Sequence, residues 1–227
     1  MQAVTTRPAA VAACLNYREH GLAQAMARQF GGRITIFDNG GDLSPFQVSA
    51  PVVNGESNLF FSGGWNWAMG ELLSKPEIEY VWMLNDDVEG VGLDVLHILA
   101  ATFPEDAAAV TPAFNSPHPE FHQIPPIGPD LRAVSWIDWC CPLVRVAAWR
   151  DVGPFDAGFP GYGADLDWCR RARAKGWRFY VHNGVKVHHL ESVTAISQGT
   201  QAVMGNVGRM EALLHEKWGV NHWWEMK

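Results

Sequence analysis

Four clusters of residues in the chain have the types and spacing for chemistry. Leu84-Asn85-Asp86-Asp87-Val88 sets two acids in a turn directly behind the apolar run Glu79–Leu84 (EYVWML). Hard cations such as Mg²⁺ or Mn²⁺ use carboxylate oxygens held at such a fixed place and take further ligands from substrate phosphates. Asn and Asp are also ordinary turn residues. A second turn, Asp38-Asn39-Gly40-Gly41, follows the β-branched run Arg33–Phe37 (RITIF). Its carboxylate can accept from a nucleotide base or a ribose hydroxyl, while the glycines equally suit a tight left-handed turn.

The third cluster is Gly161-Tyr162-Gly163-Ala164-Asp165-Leu166-Asp167, at the start of a helix that ends in Arg170, Arg171, Arg173 and Lys175 with Gly176 as stop. Acids in the first turn and bases in the last suit the helix dipole, and Asp167–Arg171 is a favourable i,i+4 pair. Those structural reasons account well for Asp167 and less fully for Asp165. Behind a Gly-Tyr-Gly approach, Asp165 faces a cleft, where an ionised carboxylate can act as a general base. The fourth cluster, Val185–His189 (VKVHH), is a strand ending in two histidines. Alternation sets Val185, Val187 and His189 on one face, Lys186 and His188 on the other. A neutral imidazole here can complete a divalent-metal site begun by Asp87.

These groups need a scaffold, and the hydrophobic pattern supplies one. Ala9–Leu15 reads as a buried first strand, Glu19–Phe30 as a helix ended by Gly31-Gly32, and Arg33–Phe37 as a second strand. Pro45–Gly55 is irregular or weakly extended, Trp65–Ser74 a helix, Glu79–Leu84 a strand, Asp94–Phe103 a helix and Ala107–Pro112 a strand. Short strands alternating with ten-residue helices predict an α/β sheet with mostly parallel strands, whose ligands bind at the carboxyl ends. Pro112–Pro129 is a proline-rich loop and Val134–Val146 is strand-like. Trp177–Val181 and Val185–His189 are expected as a hairpin around Asn183-Gly184. A closing helix, Gln201–Trp218, precedes the aromatic tail Asn221–Lys227.

Composition narrows the class. With 227 residues, 48% hydrophobic, the chain has material for a real core, which excludes disorder and a disulfide-stapled miniprotein. A net charge of −7 argues against non-specific nucleic-acid or anionic-membrane binding. Cys14, Cys140, Cys141 and Cys169 lack a CxxC spacing and are expected as reduced core thiols. No apolar run reaches the roughly 18 residues a membrane span needs, and a cytoplasmic protein is expected.

The order of the clusters resembles the family-two inverting glycosyltransferases, in their rhamnosyltransferase-like branch, over about residues 11–192. Ile34–Gly41 (ITIFDNGG) is similar to the family's strand and DNGS turn, and Asn58–Asn66 (NLFFSGGWN) to the stretch beside the nucleotide. Tyr80–Val88 (YVWMLNDDV) resembles the metal-binding DxD region. The most specific match is Val152–Arg170 (VGPFDAGFPGYGADLDWCR), and Trp177–His188 is similar to a strand pair ending in a metal-ligand histidine. Three positions depart from the pattern: Asn85 stands at the first acidic position of DxD, Ala164 where a Glu is usual, and Trp139 where a Gly is expected.

The resemblance implies the GT-A fold, a Rossmann-like α/β mixed sheet flanked by helices, as one domain over 1–227. Its nucleotide-binding half would span about 1–112, its acceptor half about 130–192, with the C-terminal helix and aromatic tail at 200–227. It implies a divalent cation, Mn²⁺ or Mg²⁺, held by Asp87 and by His188, which ungapped alignment favours, or His189. Asp165 would be the catalytic base; Asp38, Asn39, Gly63, Gly64, Asn66 and Asp86 would line the nucleotide; Trp139, Tyr162 and Asp167 would meet the acceptor. The donor is then a nucleotide-diphosphate sugar of UDP type, and the acceptor a hydroxyl on a saccharide or another molecule; a DNA base fits the acidic charge poorly. The alternatives are a nucleotidyltransferase on the same cleft, disfavoured by the lack of a GxxxxGK[ST] loop, and a catalytically degenerate sugar-binding module.

Overall fold

The computed structural model of the chain describes residues 9–115, 130–191, 193–197, 199 and 207–226. In chain order the elements are β1 (Ala10–Asn16), α1 (His20–Gln29), β2 (Thr35–Asp38), β3 (Val52–Asn54), α2 (Phe60–Leu73), β4 (Tyr80–Asn85) and β5 (Val88–Glu89). They continue with α3 (Leu93–Ala101), β6 (Ala107–Phe114), β7 (Leu131–Val134), β8 (Leu143–Arg145), α4 (Val146–Val152), α5 (Ala164–Ala174) and β9 (Arg178–His189). Then come α6 (Val193–Ser197), α7 (Val207–Trp218) and a 3₁₀ turn, Trp223–Met226.

The strands form one mixed sheet in the order β3-β2-β1-β4-β8-β6-β9-β5, with β7 also paired to β9. β3, β2, β1 and β4 run parallel, β8 runs antiparallel between β4 and β6, and β6 pairs parallel with β9. The central strands are buried on both faces, so they read as apolar runs rather than alternating ones. Side chains still divide by alternation. Ala13, Val81 and Met83 join the core beneath α2, α4, α5 and α7, while Ala12, Cys14, Trp82 and Leu84 join the core beneath α1 and α3. All four cysteines are buried thiols in these cores.

Three expectations about elements change. The hairpin around Asn183-Gly184 is instead one twelve-residue strand, β9, because both halves pair parallel with β6; a register jump between Pro112 and Ala113 absorbs the extra residues as a bulge. Val134–Val146 is not one strand: β7 ends at Val134, a turn follows, and β8 leads straight into α4. Helix α2 begins at Phe60, ahead of Gly63-Gly64; an Asx turn in which the Asn58 side chain accepts from the Phe60 amide at 2.8 Å leads into it. Part of Pro45–Gly55 forms the edge strand β3. Of the proline-rich loop, residues 116–129 lie outside the described residues, as do 201–206 of the closing helix, which is described from Val207.

Candidate active site

The parallel strands β2, β1 and β4 end together. Asn16 lies opposite Asp38, and Leu15 opposite Asn85. The Asn16 amide crosses to the Asp86 carboxylate at 2.8 Å, so the two acidic turns flank the exit of β1. β9 arrives from the far side and pairs antiparallel with β5, placing Val88 against His189 and Glu89 against His188.

That register sends the two histidines to opposite faces. His189 Nε2 faces Asp87 Oδ1 at 3.1 Å, both side chains nearly buried, whereas exposed His188 points to Glu89 Oε2 at 3.6 Å on the other face. The histidine favoured by alignment is thus turned away from Asp87, and the adjacent one meets it. Asp87 is otherwise fixed by its surroundings: its carbonyl accepts from Leu190 N at 2.9 Å, and Oδ2 from Val193 N at 3.3 Å. Buried Oδ1 receives no aligned hydrogen bond. Burial works against a charged His189, but the Asp87 carboxylate outweighs it, and the imidazole is held up at about 9.

Two facing ligand atoms at this separation fit a cation. Neighbouring ligands of an octahedral ion with bonds of roughly 2.1 Å stand about 3 Å apart. Among the described residues no group of three or more His, Cys, Asp or Glu side chains is arranged to hold a metal. Asp87 and His189 would therefore supply two ligands and leave the others to substrate oxygens and water.

Asp165 stands on the first turn of α5. Gly163, at φ +91°, starts that helix where an added Cβ would lie 2.9 Å from Met210 and 3.0 Å from Phe159. The carboxylate accepts from the Leu166 amide at 2.8 Å and is only partly exposed. Burial first, and the charge of Asp138 second, push its pKa up to about 7. Asp138 also interacts electrostatically with His189 and Asp87. The sequence reading missed Asp138; a lone acid inside Trp136–Cys141 (WIDWCC), an otherwise apolar run, was the available signal.

Several expected contacts are instead internal braces. Asp38 is fully buried and accepts from the amides of Leu43 at 2.8 Å and Gly40 at 3.4 Å, so it shapes the loop after β2. Asn39 grips the entrance to α2, donating to Asn58 Oδ1 and the Phe60 carbonyl and accepting from Leu59 N. Asn66 spends both ends of its amide on the Phe155 backbone, each at 2.9 Å. Gly64 lets α2 approach: an added Cβ would lie 2.9 Å from both Asn39 Nδ2 and Leu15 Cδ2. At Gly63 it would meet Leu59 Cβ at 2.9 Å.

On the acceptor side two expectations are corrected. Trp139 is buried against Phe155 and Trp168, its indole directed at Met83 Sδ, so it is core rather than a pocket wall. Asp167 is fully buried and receives Arg171 and Trp218 at 2.9 Å and Lys217 at 2.8 Å, which fastens α7 to α5 and leaves nothing for an acceptor. Tyr162 is exposed beside Asp165.

Backbone strain marks the same rim. Among the described residues, non-glycine positive φ occurs at Arg18 after β1, Phe60 at the start of α2 and Glu191 after His189. Such conformations cost about 1–3 kcal/mol each and gather where a site needs them. The residues at the β1 exit were also absent from the sequence reading. Tyr17 and Arg18 pack over Gly40, where an added Cβ would lie 3.0 Å from the Tyr17 ring.

No protein-family model matches the chain. It is 28% identical over 189 residues to the uncharacterized protein Rv1525 of Mycobacterium tuberculosis, covering 78% of this chain and 70% of that one. The uncharacterized protein Mb1552 of Mycobacterium bovis gives the same figures. Similar solved structures include GalNAc-T7 with UDP, GalNAc and Mn²⁺ (TM-score 0.62, 9% identity, 82% of this chain and 44% of that one). The mannosyltransferase PcManGT from Pyrobaculum calidifontis, in complex with GDP-Man and Mn²⁺, scores 0.59 at 13% identity over 82% of this chain and 57% of that one. S. aureus TarS 1–349 scores 0.58 at 11% identity over 93% of this chain and 72% of that one. The chain thus spans about half the length of the first two. At these identities the likeness is one of architecture: the mixed sheet with its flanking helices has the GT-A fold of nucleotide-sugar transferases.

Proposed function

We propose that the chain is a metal-dependent inverting glycosyltransferase that moves a sugar from a nucleotide-diphosphate donor, of UDP type, to an acceptor hydroxyl. The observation that carries this reading is the nearly buried Asp87–His189 pair at the exit of β4, 3.1 Å apart, together with a partly buried Asp165 on the first turn of α5 whose pKa is pushed up. GalNAc-T7 and PcManGT, solved with Mn²⁺ and with UDP or GDP-Man, support a cation and a nucleotide-sugar here.

Asp87 and His189 would hold Mn²⁺ or Mg²⁺, which when bound neutralises charge building on the leaving diphosphate. The loop braced by Asp38, with Tyr17 and Arg18 against Gly40, offers the surface for the nucleoside. Asp165 takes the acceptor hydroxyl's proton as the oxygen attacks the anomeric carbon, and the bond to the diphosphate breaks on the opposite face. A group with a pKa near 7 is both ionised at working pH and basic enough to be useful. Tyr162, exposed three residues before Asp165, would touch the acceptor.

The test is incubation with a panel of nucleotide-sugars and Mn²⁺, with product analysis. Nucleoside diphosphate and an inverted glycoside are expected. Pyrophosphate release would indicate nucleotidyl transfer, and neither binding nor turnover of any donor would leave a degenerate module.

A further inference from the structure

The strand pair that brings His189 to Asp87 is short. β5 is two residues long and stands at the edge of the sheet, where it pairs with β9. On the other side of β9, pairing with β6 runs out at Phe114 and Val187, two residues before His189. In an antiparallel pair the backbone groups of successive residues point alternately toward and away from the partner strand. Leu190 N donates to the Asp87 carbonyl at 2.9 Å, toward β5, so the N–H and C=O of His189 point back to where β6 has ended. Asn115, the first residue after β6, fills that place with its side chain. Its Oδ1 accepts from His189 N at 2.8 Å and its Nδ2 donates to the His189 carbonyl at 3.2 Å, replacing the partners that a longer strand would give. The imidazole rests edge-on against Phe114, ring centres 5.9 Å apart at 85°. The other half of the pair is held from α1. Gln29 Oε1 accepts from the amides of Gly90 at 2.9 Å and Val91 at 3.2 Å, and its Nε2 donates to the Val88 carbonyl at 3.3 Å. Two side-chain amides therefore hold the backbone of the Asp87–His189 contact, one on β9 and one on β5.

We propose that Asn115 is a positioning residue: by gripping the His189 backbone at both its N–H and its C=O, it aims the imidazole at Asp87 before a cation arrives, and it is not itself a ligand. This rests on the glycosyltransferase reading, in which Asp87 and His189 hold the ion. A ligand that must be ordered as the ion binds gives up part of the binding free energy, whereas one already oriented does not. Partners that orient a metal ligand are accordingly worth about tenfold or more in affinity. An alanine at 115 removes both bonds to His189 and alters no charge, so its effect reports geometry alone. Gln29 still holds β5, and the loss is confined to one ligand of the two.

The experiment uses the full chain and has two readouts. In EDTA, NMR cross-relaxation between the His189 and Phe114 rings should be present in the wild type and lost in Asn115→Ala, while that between Trp168 and Phe179 in the core persists. Mn²⁺ affinity, read from the EPR signal of the free ion, should fall about tenfold in Asn115→Ala. Made on top of His189→Ala, the same substitution should change the affinity less than about twofold, because the ring it orients is gone. A general weakening of the fold would act equally in both backgrounds. Ring contacts that survive in Asn115→Ala, or a Mn²⁺ affinity unmoved or equally reduced in the two backgrounds, overturn the proposal. Should the variant not fold, hydrogen exchange of the wild type decides: a protected His189 amide supports the clamp, and one exchanging at the rate of an open chain overturns it. A chain that binds no Mn²⁺ fails as a metal-dependent transferase, while the ring contacts in EDTA still decide this inference.

Discussion

His189 Nε2 and Asp87 Oδ1 face each other at 3.1 Å where the last residue of β9 meets the turn after β4. The contact joins chain positions about a hundred residues apart, and it exists because β5 and β9 pair in the register Val88 against His189. Its neighbour in sequence, His188, is directed to the opposite face by strand alternation.

Replacing these histidines singly separates ligand from bystander. His189→Ala should abolish the thermal stabilisation by Mn²⁺, with affinity down at least about tenfold, while His188→Ala retains it. A His188→Ala protein that loses the Mn²⁺ shift would reverse the assignment.

Metal uptake should depend on pH in a definite direction. His189, held up at about 9, carries a proton at neutral pH in the metal-free protein, and that proton must leave when the ring binds a cation. Mn²⁺ affinity should therefore climb as pH rises from 6 toward 9, with proton release detectable by calorimetry in buffers of different ionisation enthalpy.

Activity and stability should respond oppositely at Asp165. With its pKa at about 7, turnover should rise with pH through that value, and Asp165→Asn should retain about a hundredth of the rate or less. For stability the raised pKa means that the fold prefers the neutral form. Stability is lost as pH rises from the usual carboxylate range through 7, and the full penalty is present above it. At pH 8 Asp165→Asn should melt about 2–4 °C above wild type, the equivalent of ~1 kcal/mol for a chain of this size, and at pH 4 the two should nearly coincide.

Asp167 should behave as a fastener. Asp167→Asn strips charge from Arg171 and Lys217 beneath α7 and should cost about 2–3 kcal/mol in chemical denaturation. The KM for acceptor in the surviving folded protein should stay within about twofold of wild type, since the side chain is fully buried.

Local signals carried much of the architecture. Apolar runs ending in Asp-Asn-Gly-Gly and Asn-Asp-Asp placed two acids at the exits of parallel strands, because strand, turn and burial are all encoded within a few neighbouring residues. The start of α5 was equally legible from Gly163 and the charge order of the helix. Tertiary structure decided what each polar group does. Asp38, Asn39 and Asn66 have the composition of ligand contacts, yet their hydrogen bonds go to backbone that only the folded chain brings near. That His189 and not His188 meets Asp87 follows from a strand register set by β6 and β5. Local sequence fixes which groups are available, while long-range pairing fixes which way they point, and reactivity depends on the second.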